Sequence, residues 1–449
     1  MRIQKVKRPH SPGSPSPAGE GAGGWGCSRT TMTYHLKLLL PLLPALSFAA
    51  HAQAQRVLPL DSVLRAVARR NPALRQYDYR AQAKDAAVAG ANTWEAPRVS
   101  AGYWMTPYNQ RPIKELNNGQ GMGMQMVSVE QALPNPAKQR ARRAYLAGQA
   151  AVEQAGQAAS LNELRAQART LYYSRVMLEK KLKVLDESAY LLDFLLKVAQ
   201  ARYPYNQSSL ASIYEVQARV AMHGNDHAVL YGQLRQNTIA LNTLMARDPA
   251  TGFAVDTLLP TPPLAPLPDT AALAARRSDV RALDRSLAVV RLSQAVEASR
   301  RRPDFGVRYD HMNGIGSTPN QFTVMGMVTI PMVPWAAREY RANTAALGYE
   351  AQAVRQQRAS LLNEATGRLS TLQADLATKR EQVGNFEKGI LPALRKSYQV
   401  TLLAYQQNTA QLPAVVEALN TWLLTRLQYL DTQNELLTLT VRYDQELEQ

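Results

Sequence analysis

The chain repeats itself. Four landmarks occur in the same order in each half, every second copy lying roughly 200 residues after the first. Arg69-Arg70-Asn71-Pro72 is matched by Arg276-Arg277-Ser278-Asp279, and an Ala-rich amphipathic stretch follows each. Pro97 opens an extended run, as Pro303 does. Leu133-Pro134 ahead of Lys138 and Arg140 is echoed by Val333-Pro334 ahead of Arg338 and Arg341, each leading into a long helical pattern. Tyr203, Asn206, Leu210 and Glu215 return at one constant spacing as Tyr405, Asn408, Leu412 and Glu417. A unit of helix, strand, strand, long helix, turn and helix, present twice, predicts copies arranged pseudo-symmetrically about a shared axis, which leaves few folds open.

The helical patterns carry a coiled-coil seam. Leu178, Leu182, Leu185, Ala189, Leu192, Leu196 and Ala199 alternate steps of four and three. Between residues 137 and 201 only Gly148 and Gly156 interrupt a run of good helix formers. At the α-helical rise such an element is about 100 Å long, which no compact domain accommodates. Its partner is expected over 208–245, and the second copy over 336–404 and from Leu412 to the C-terminus. The turns at 203–208 and 405–410 then sit at the far tips of two helical hairpins. Four segments change to an alternating period: 98–107, 122–130, 305–312 and 322–330, each about the length that a tilted membrane-spanning strand needs. They pair as two hairpins, the first closed by a loop over 108–121 with Asn117-Asn118-Gly119, the second by Asn313-Gly314 and Gly316. Four strands cannot close a barrel and an open edge is prohibitive in lipid, so several copies must share one barrel.

The N-terminal region reads as processing signal rather than fold. Residues 1–31, rich in Pro, Gly and Ser, are a disordered or non-native leader. Met32 precedes Lys37, an apolar run from Leu38 to Ala50, and the small residues Ala50, Ala52 and Ala54, the arrangement of a Sec-type signal peptide over 32–54. A membrane anchor is the alternative, and the shortness of the run and its breaks at Pro41 and Pro44 argue against it. The expected layout is a first repeat over 55–260, a Pro-rich connector over 261–269 and a second repeat over 270–449. Cys27, the only cysteine, lies ahead of the apolar run, so disulfides, thiolate metal sites and a lipid-bearing cysteine are all excluded from the mature chain. No later run of about 18 apolar residues exists, which assigns any membrane-spanning role to the strands. Of the formal net charge of +17, the N-terminal segment ahead of Arg56 holds +5, and the remaining +12 is spread along the helical patterns rather than gathered with aromatics. That distribution speaks against nucleic acid and suits anionic lipid head groups.

The segments ARRNPALRQ, VSVEQALPNPAKQRAR, RYPYNQSSLASIYEVQ, RSDVRAL, RRRPDFGVRY and AYQQNTAQLPAVVEAL follow one another along the chain. In that order they resemble the TolC-like outer membrane efflux protein family, over nearly the whole mature chain. The resemblance implies a mainly α fold with a membrane β-barrel: a homotrimer in which four strands per subunit form a twelve-stranded barrel and the long hairpins form an α-helical tunnel across the periplasm. It implies as partners outer-membrane lipid, a periplasmic adaptor (membrane fusion) protein and an inner-membrane pump of the RND type. It implies a passive export duct for drugs or heavy-metal ions, without cofactor or catalysis. Two departures stand out. Asn206 and Asn408 replace the family's usual glycine after the tip tyrosines Tyr203 and Tyr405, and asparagine tolerates left-handed backbone nearly as well. Of an acidic pair often found at the family's inner gate, Glu417 matches one member, Ala414 occupies the other position, and Glu215 of the first copy is a supplement.

Three groups of residues are candidates for chemistry. A ring of Glu417 from three subunits would bring like charges together, raise some carboxylate pKa values and favour cations at a tunnel mouth; an ordinary solvated glutamate is the plainer reading. Methionines gather around the strands at Met105, Met122, Met124, Met126, Met312, Met325, Met327 and Met332. Met122, Met124 and Met126 share one strand face, thioethers ligate Cu(I) and Ag(I), and the first hairpin also resembles the family's copper and silver branch; lipid-facing or barrel-packing methionine is the favoured alternative. His223 and His227, with Asp226 between them, have the helical spacing of a zinc chelate, but Gly224 and Asn225 mark a polar, solvated patch. No phosphate loop, nucleophile elbow or paired His and Cys constellation supports an enzyme. The competing function is a soluble periplasmic coiled-coil adaptor, which would share the hairpins and place its β segments in compact soluble domains.

Overall fold

The computed structural model describes residues 57–106, 108, 123–257, 266–315 and 319–448. The leader, the signal segment, Met122 and most of the connector lie outside the described residues. A short strand β1 (Val57–Leu58) leads into α1 (Leu60–Arg70) and α2 (Pro72–Ala89). Strands β2 (Arg98–Trp104) and β3 (Met124–Leu133) follow, then α3 (Pro136–Arg202), α4 (Leu210–Leu244) and the short β4 (Ala254–Val255). The same order then recurs: α5 (Thr270–Arg276), α6 (Ser278–Ser299), β5 (Asp304–Gly314), β6 (Gln321–Thr329), α7 (Pro334–Asn385), α8 (Leu391–Gln406) and α9 (Leu412–Leu447).

Local chemistry explains the starts and stops. Asn71 ends α1 and caps α2: its side chain accepts from the Ala73 N–H at 2.9 Å, and Pro72 sits where a helix needs no N–H. The matching break between α5 and α6 is made differently. Buried Arg277 bridges Asp279 at 2.6 Å and Glu446 at 2.5 Å, while Glu448 accepts from the backbone and hydroxyl of Ser278. Asn135 repeats the Asn-Pro cap at the start of α3, accepting from Ala137 at 3.0 Å. That helix is uninterrupted over 67 residues, about 100 Å of rod.

The second long helix corrects an expectation. In place of one helix over 336–404, α7 and α8 are joined by a π-turn at Phe386–Ile390. Pro392 is the cause: it has no N–H and its ring crowds the carbonyl four residues back, Lys388, so the backbone widens by one residue just ahead of it. Tyr429 of α9 fastens the widened turn, donating to the Glu387 carboxylate at 2.6 Å and accepting from Gln433. Burial and the contact with Glu387 both push the Tyr429 phenol above its ordinary range.

Four apolar clusters run along the helical part. One gathers Val63, Val67, Tyr172, Tyr173, Leu241 and Phe253 where β1 and β4 pair as a two-stranded parallel sheet. That pairing was not expected, since two-residue strands show no period. Phe253 is held between the guanidinium groups of Arg175 (4.3 Å) and Arg247 (4.8 Å). A second lies beside the C-terminal half of α9, around Leu369 and Tyr443, and a third beside its middle, around Leu185, Leu423 and Leu430. The fourth seals the hairpin ends, joining Leu192, Leu195 and Ile213 to Tyr398, Leu412 and Val416. Among the described residues no helix is long and apolar enough to cross a membrane.

Strands β2, β3, β5 and β6 form one antiparallel sheet in that order. Their ends differ from expectation by one to three residues; β2 stops at Trp104 because Met105 turns into left-handed backbone (φ 51°). The copies are not separate bodies: β3 pairs with β5, and α3 packs along α6.

Candidate functional site

Among the described residues, no element covers the sheet on either face. All seven residues of β2 are exposed, and β6 has no buried residue. Both outer strands, β2 and β6, leave one backbone edge unpaired. A soluble protein rarely presents such a surface.

Register sorts the two faces. Val99, Val129, Tyr309 and Val324 stand in one row across the four strands; Ala101, Val127, His311 and Phe322 form the next. Leu133, Phe305 and Val328 share the same face toward the helical end. Of the exposed large apolar side chains within these strands, all but Trp104 and Met325 belong to it. The opposite face carries Arg98, Ser100, Ser128, Glu130, Arg308, Asp310 and Thr323. It is also the concave one, since Ser128, Asp310 and Met312 are buried although no element among the described residues covers them. Arg308 binds Asp310 at 2.8 Å and donates to Ser128 at 3.2 Å.

The methionines fall on one side. Met124, Met126, Met312, Met325 and Met327 all lie on the polar, concave face, not on the apolar one. Of the favoured reading, lipid-facing or barrel-packing methionine, the placement of these five beside Ser128, Arg308 and Asp310 fits the barrel-packing part. Alternation along one strand shows that two methionines share a face, but which face requires the cross-strand register.

At the sheet's helical end the two copies are stapled together. Lys138 pairs with Asp304 at 2.6 Å, and the Asn135 side chain donates to the Pro303 carbonyl at 2.8 Å. This fixes the start of α3 beneath β5.

At the other end the hairpins turn through the predicted asparagines. Asn206 (φ 59°) follows a 3-10 turn at Tyr203–Tyr205, and Asn408 (φ 62°) follows Tyr405. Each donates its N–H to the tyrosine carbonyl, at 3.0 and 3.1 Å. Arg202, which the sequence reading passed over, ties the tips together: its guanidinium donates to the carbonyls of Tyr405 and Gln406 and lies 4.6 Å from the centre of the Tyr405 ring. Glu417 and Glu215 are both exposed. Glu417 is 3.7 Å from Arg219, so a cation that the sequence reading had not placed there offsets its charge.

The two histidines do not converge. His223 is buried, and the loss of water holds its imidazole below the ordinary value, against the opposing pull of Asp226. His227 points outward to Asp186 at 3.6 Å and stacks on Tyr231. No group of three or more His, Cys, Asp or Glu side chains able to hold a metal occurs among the described residues.

No family model and no curated protein sequence matches the chain. Solved structures do. The outer-membrane channel OprN superposes with a TM-score of 0.70 at 15% identity, covering 86% of this chain and 89% of that one. CusC, described through its folding and transmembrane channel formation, gives 0.70 at 13% identity over 86% and 91%. The open state of the Neisseria gonorrhoeae MtrE outer membrane channel gives 0.68 at 14% identity over 86% and 88%. The chain has the fold of the TolC-like outer membrane channels.

Proposed function

We propose that the chain is the outer-membrane channel component of a tripartite efflux system, a passive export duct across the periplasm and outer membrane. The observation that carries this is the sheet: apolar on one face, polar on the concave face, and unpaired at both edges. Three copies joined β2 to β6 give a twelve-stranded barrel with no free edge, lipid outside and water within. The long hairpins of the three copies then extend below it as a tunnel. Residues 55–260 and 270–449 are the two copies of an internal repeat, joined by the 261–269 connector, and residues 32–54 direct export. The tips, with Tyr203, Asn206, Tyr405 and Asn408, meet a periplasmic adaptor protein and an inner-membrane pump of the RND type. Glu417, with Glu215 one hairpin away, lines the entrance. Energy and first choice of cargo, drug or heavy-metal ion, come from the pump, so the duct requires no cofactor and performs no catalysis.

Expression from Met32, envelope fractionation and an outer-membrane extract run unheated beside a boiled sample test this reading. A trimer band that collapses on boiling is expected. A soluble monomer would overturn the barrel and install the coiled-coil adaptor in its place.

A further inference from the structure

Met126 of β3 stands directly opposite Met312 of β5, and Met124 is the next residue on the same face of β3. Directly opposed side chains on neighbouring strands have Cβ atoms about 5 Å apart, and same-face neighbours along a strand are about 7 Å apart. Three flexible thioether arms at that spacing reach a common point. Space is left for it: Gly102 lies opposite Met126 and Gly314 opposite Met124, and a Cβ added at Gly102 would meet nothing within 4 Å. The adjoining row is Ser100, Ser128, Asp310 and Thr323, and the Asp310 carboxylate is already held by Arg308 and Ser128. The one carboxylate of that row is thus already engaged.

A concave face lined with water ordinarily takes polar side chains, and the adjoining row of Ser100, Ser128, Asp310 and Thr323 does. By register the cross-strand neighbours of these three thioethers are Gly102, Gly314, Gln321, one another and Trp104, which stands opposite Met124. Thioether sulfur is a poor ligand for hard or borderline cations and a good one for d10 monovalent ions. We propose that Met124, Met126 and Met312 form a three-thioether site for a soft monovalent cation, Cu(I) or Ag(I), on the concave face of the sheet. The assignment rests on the duct reading only for its biological sense, a contact point for soft-metal cargo inside the barrel. The coordination itself depends on the register of β3 and β5.

The probe is Ag(I), added as nitrate in chloride-free buffer to the detergent-solubilised full chain, with bound silver measured by equilibrium dialysis and sulfur coordination by X-ray absorption. One silver per chain with sulfur neighbours is expected. Met126→Leu with Met312→Leu should weaken that site at least tenfold. Leucine conserves the volume, so the fold survives. Met327→Leu, on the same face near the helical end, should leave binding unchanged. Absence of sulfur-bound silver in the unaltered chain, or equal binding by the double variant, overturns the proposal. The heat-sensitive trimer band of the same preparation reports separately on the duct: a trimer without silver removes this site alone, whereas silver bound to a monomer removes the duct alone.

Discussion

Arginine placed at Val324 should block assembly, and arginine at the adjacent Thr323 should not. Val324 is 61% exposed in the single chain and stands opposite Tyr309 in a middle row of the apolar face. In lipid that row lies near the bilayer centre, where an arginine on the outer face of a barrel costs about 2–4 kcal/mol. Per chain this shifts the assembly equilibrium about 30- to 900-fold, and a closed trimer carries the substitution three times. Thr323 points to the concave side opposite Asp310, where a cation meets water and a carboxylate. Val328 shares the apolar face with Val324 but lies opposite Phe305 at the helical end, so arginine there falls to about 0–1 kcal/mol. The assay is the unheated gel band of outer-membrane extracts, with urea unfolding from lipid vesicles as the quantitative measure. The expected order of damage is Val324→Arg, then Val328→Arg, then Thr323→Arg. Equal damage at 323 and 324 would refute the assignment of faces, and equal damage at 324 and 328 would refute the depth argument.

Four further outcomes are expected. Phe253→Ala removes a buried ring gripped by Arg175 and Arg247 and should cost about 3–5 kcal/mol in denaturant unfolding, because the two cations lose their shared cover. Glu417→Ala leaves Arg219 without its acidic partner, so bilayer recordings should show reduced cation selectivity; unchanged reversal potentials would remove Glu417 from the entrance. Tyr429→Phe deletes the bonds to Glu387 and Gln433 and should speed amide exchange across 386–390 while α3 is unaffected. Burial, reinforced by Arg219 and opposed by Asp226, keeps the His223 pKa below its unfolded value of about 6.5, so the unfolded chain takes up a proton that the folded chain resists. Stability is therefore full above about pH 6.5 and falls as pH drops below it, and His223→Leu should flatten that slope.

How far the sequence carries depends on whether the controlling interaction is local. The heptad seam from Leu178 to Ala199 and the Asn-Pro cap at Asn135 act within a few turns of chain, and α3 lies within a residue of its expected bounds. The alternating segments likewise mark all four long strands. The bend between α7 and α8 was also written locally, in Pro392, but a proline in a strongly periodic run competes with many helix-favouring neighbours, and the outcome is a π-turn rather than a break. What sequence period does not hold is partner identity. Arg219 meets Glu417, and Arg202 meets Tyr405, across about two hundred residues.

The methionines show the same limit in sharper form, because the sequence period leaves lipid-facing and barrel-packing placements both open. Period two says that Met124 and Met126 share a side with Ser128, not with Val127 and Val129. That alone already separates them from the larger β-branched residues of β3. Deciding which side meets water needs the whole sheet: Tyr309, Phe322 and Val324 joining Val127 and Val129 in one layer, and Arg308 with Asp310 joining Ser128 in the other. Once those rows are aligned, the methionines of β3 stand in the layer of Ser128, Arg308 and Asp310, the barrel-packing side of the two placements. Met312 then enters the group although it is nearly two hundred residues distant in sequence and on the other copy of the repeat. A site assembled from both copies has no signature in either, and the pairing of β3 with β5 is the contact that creates it.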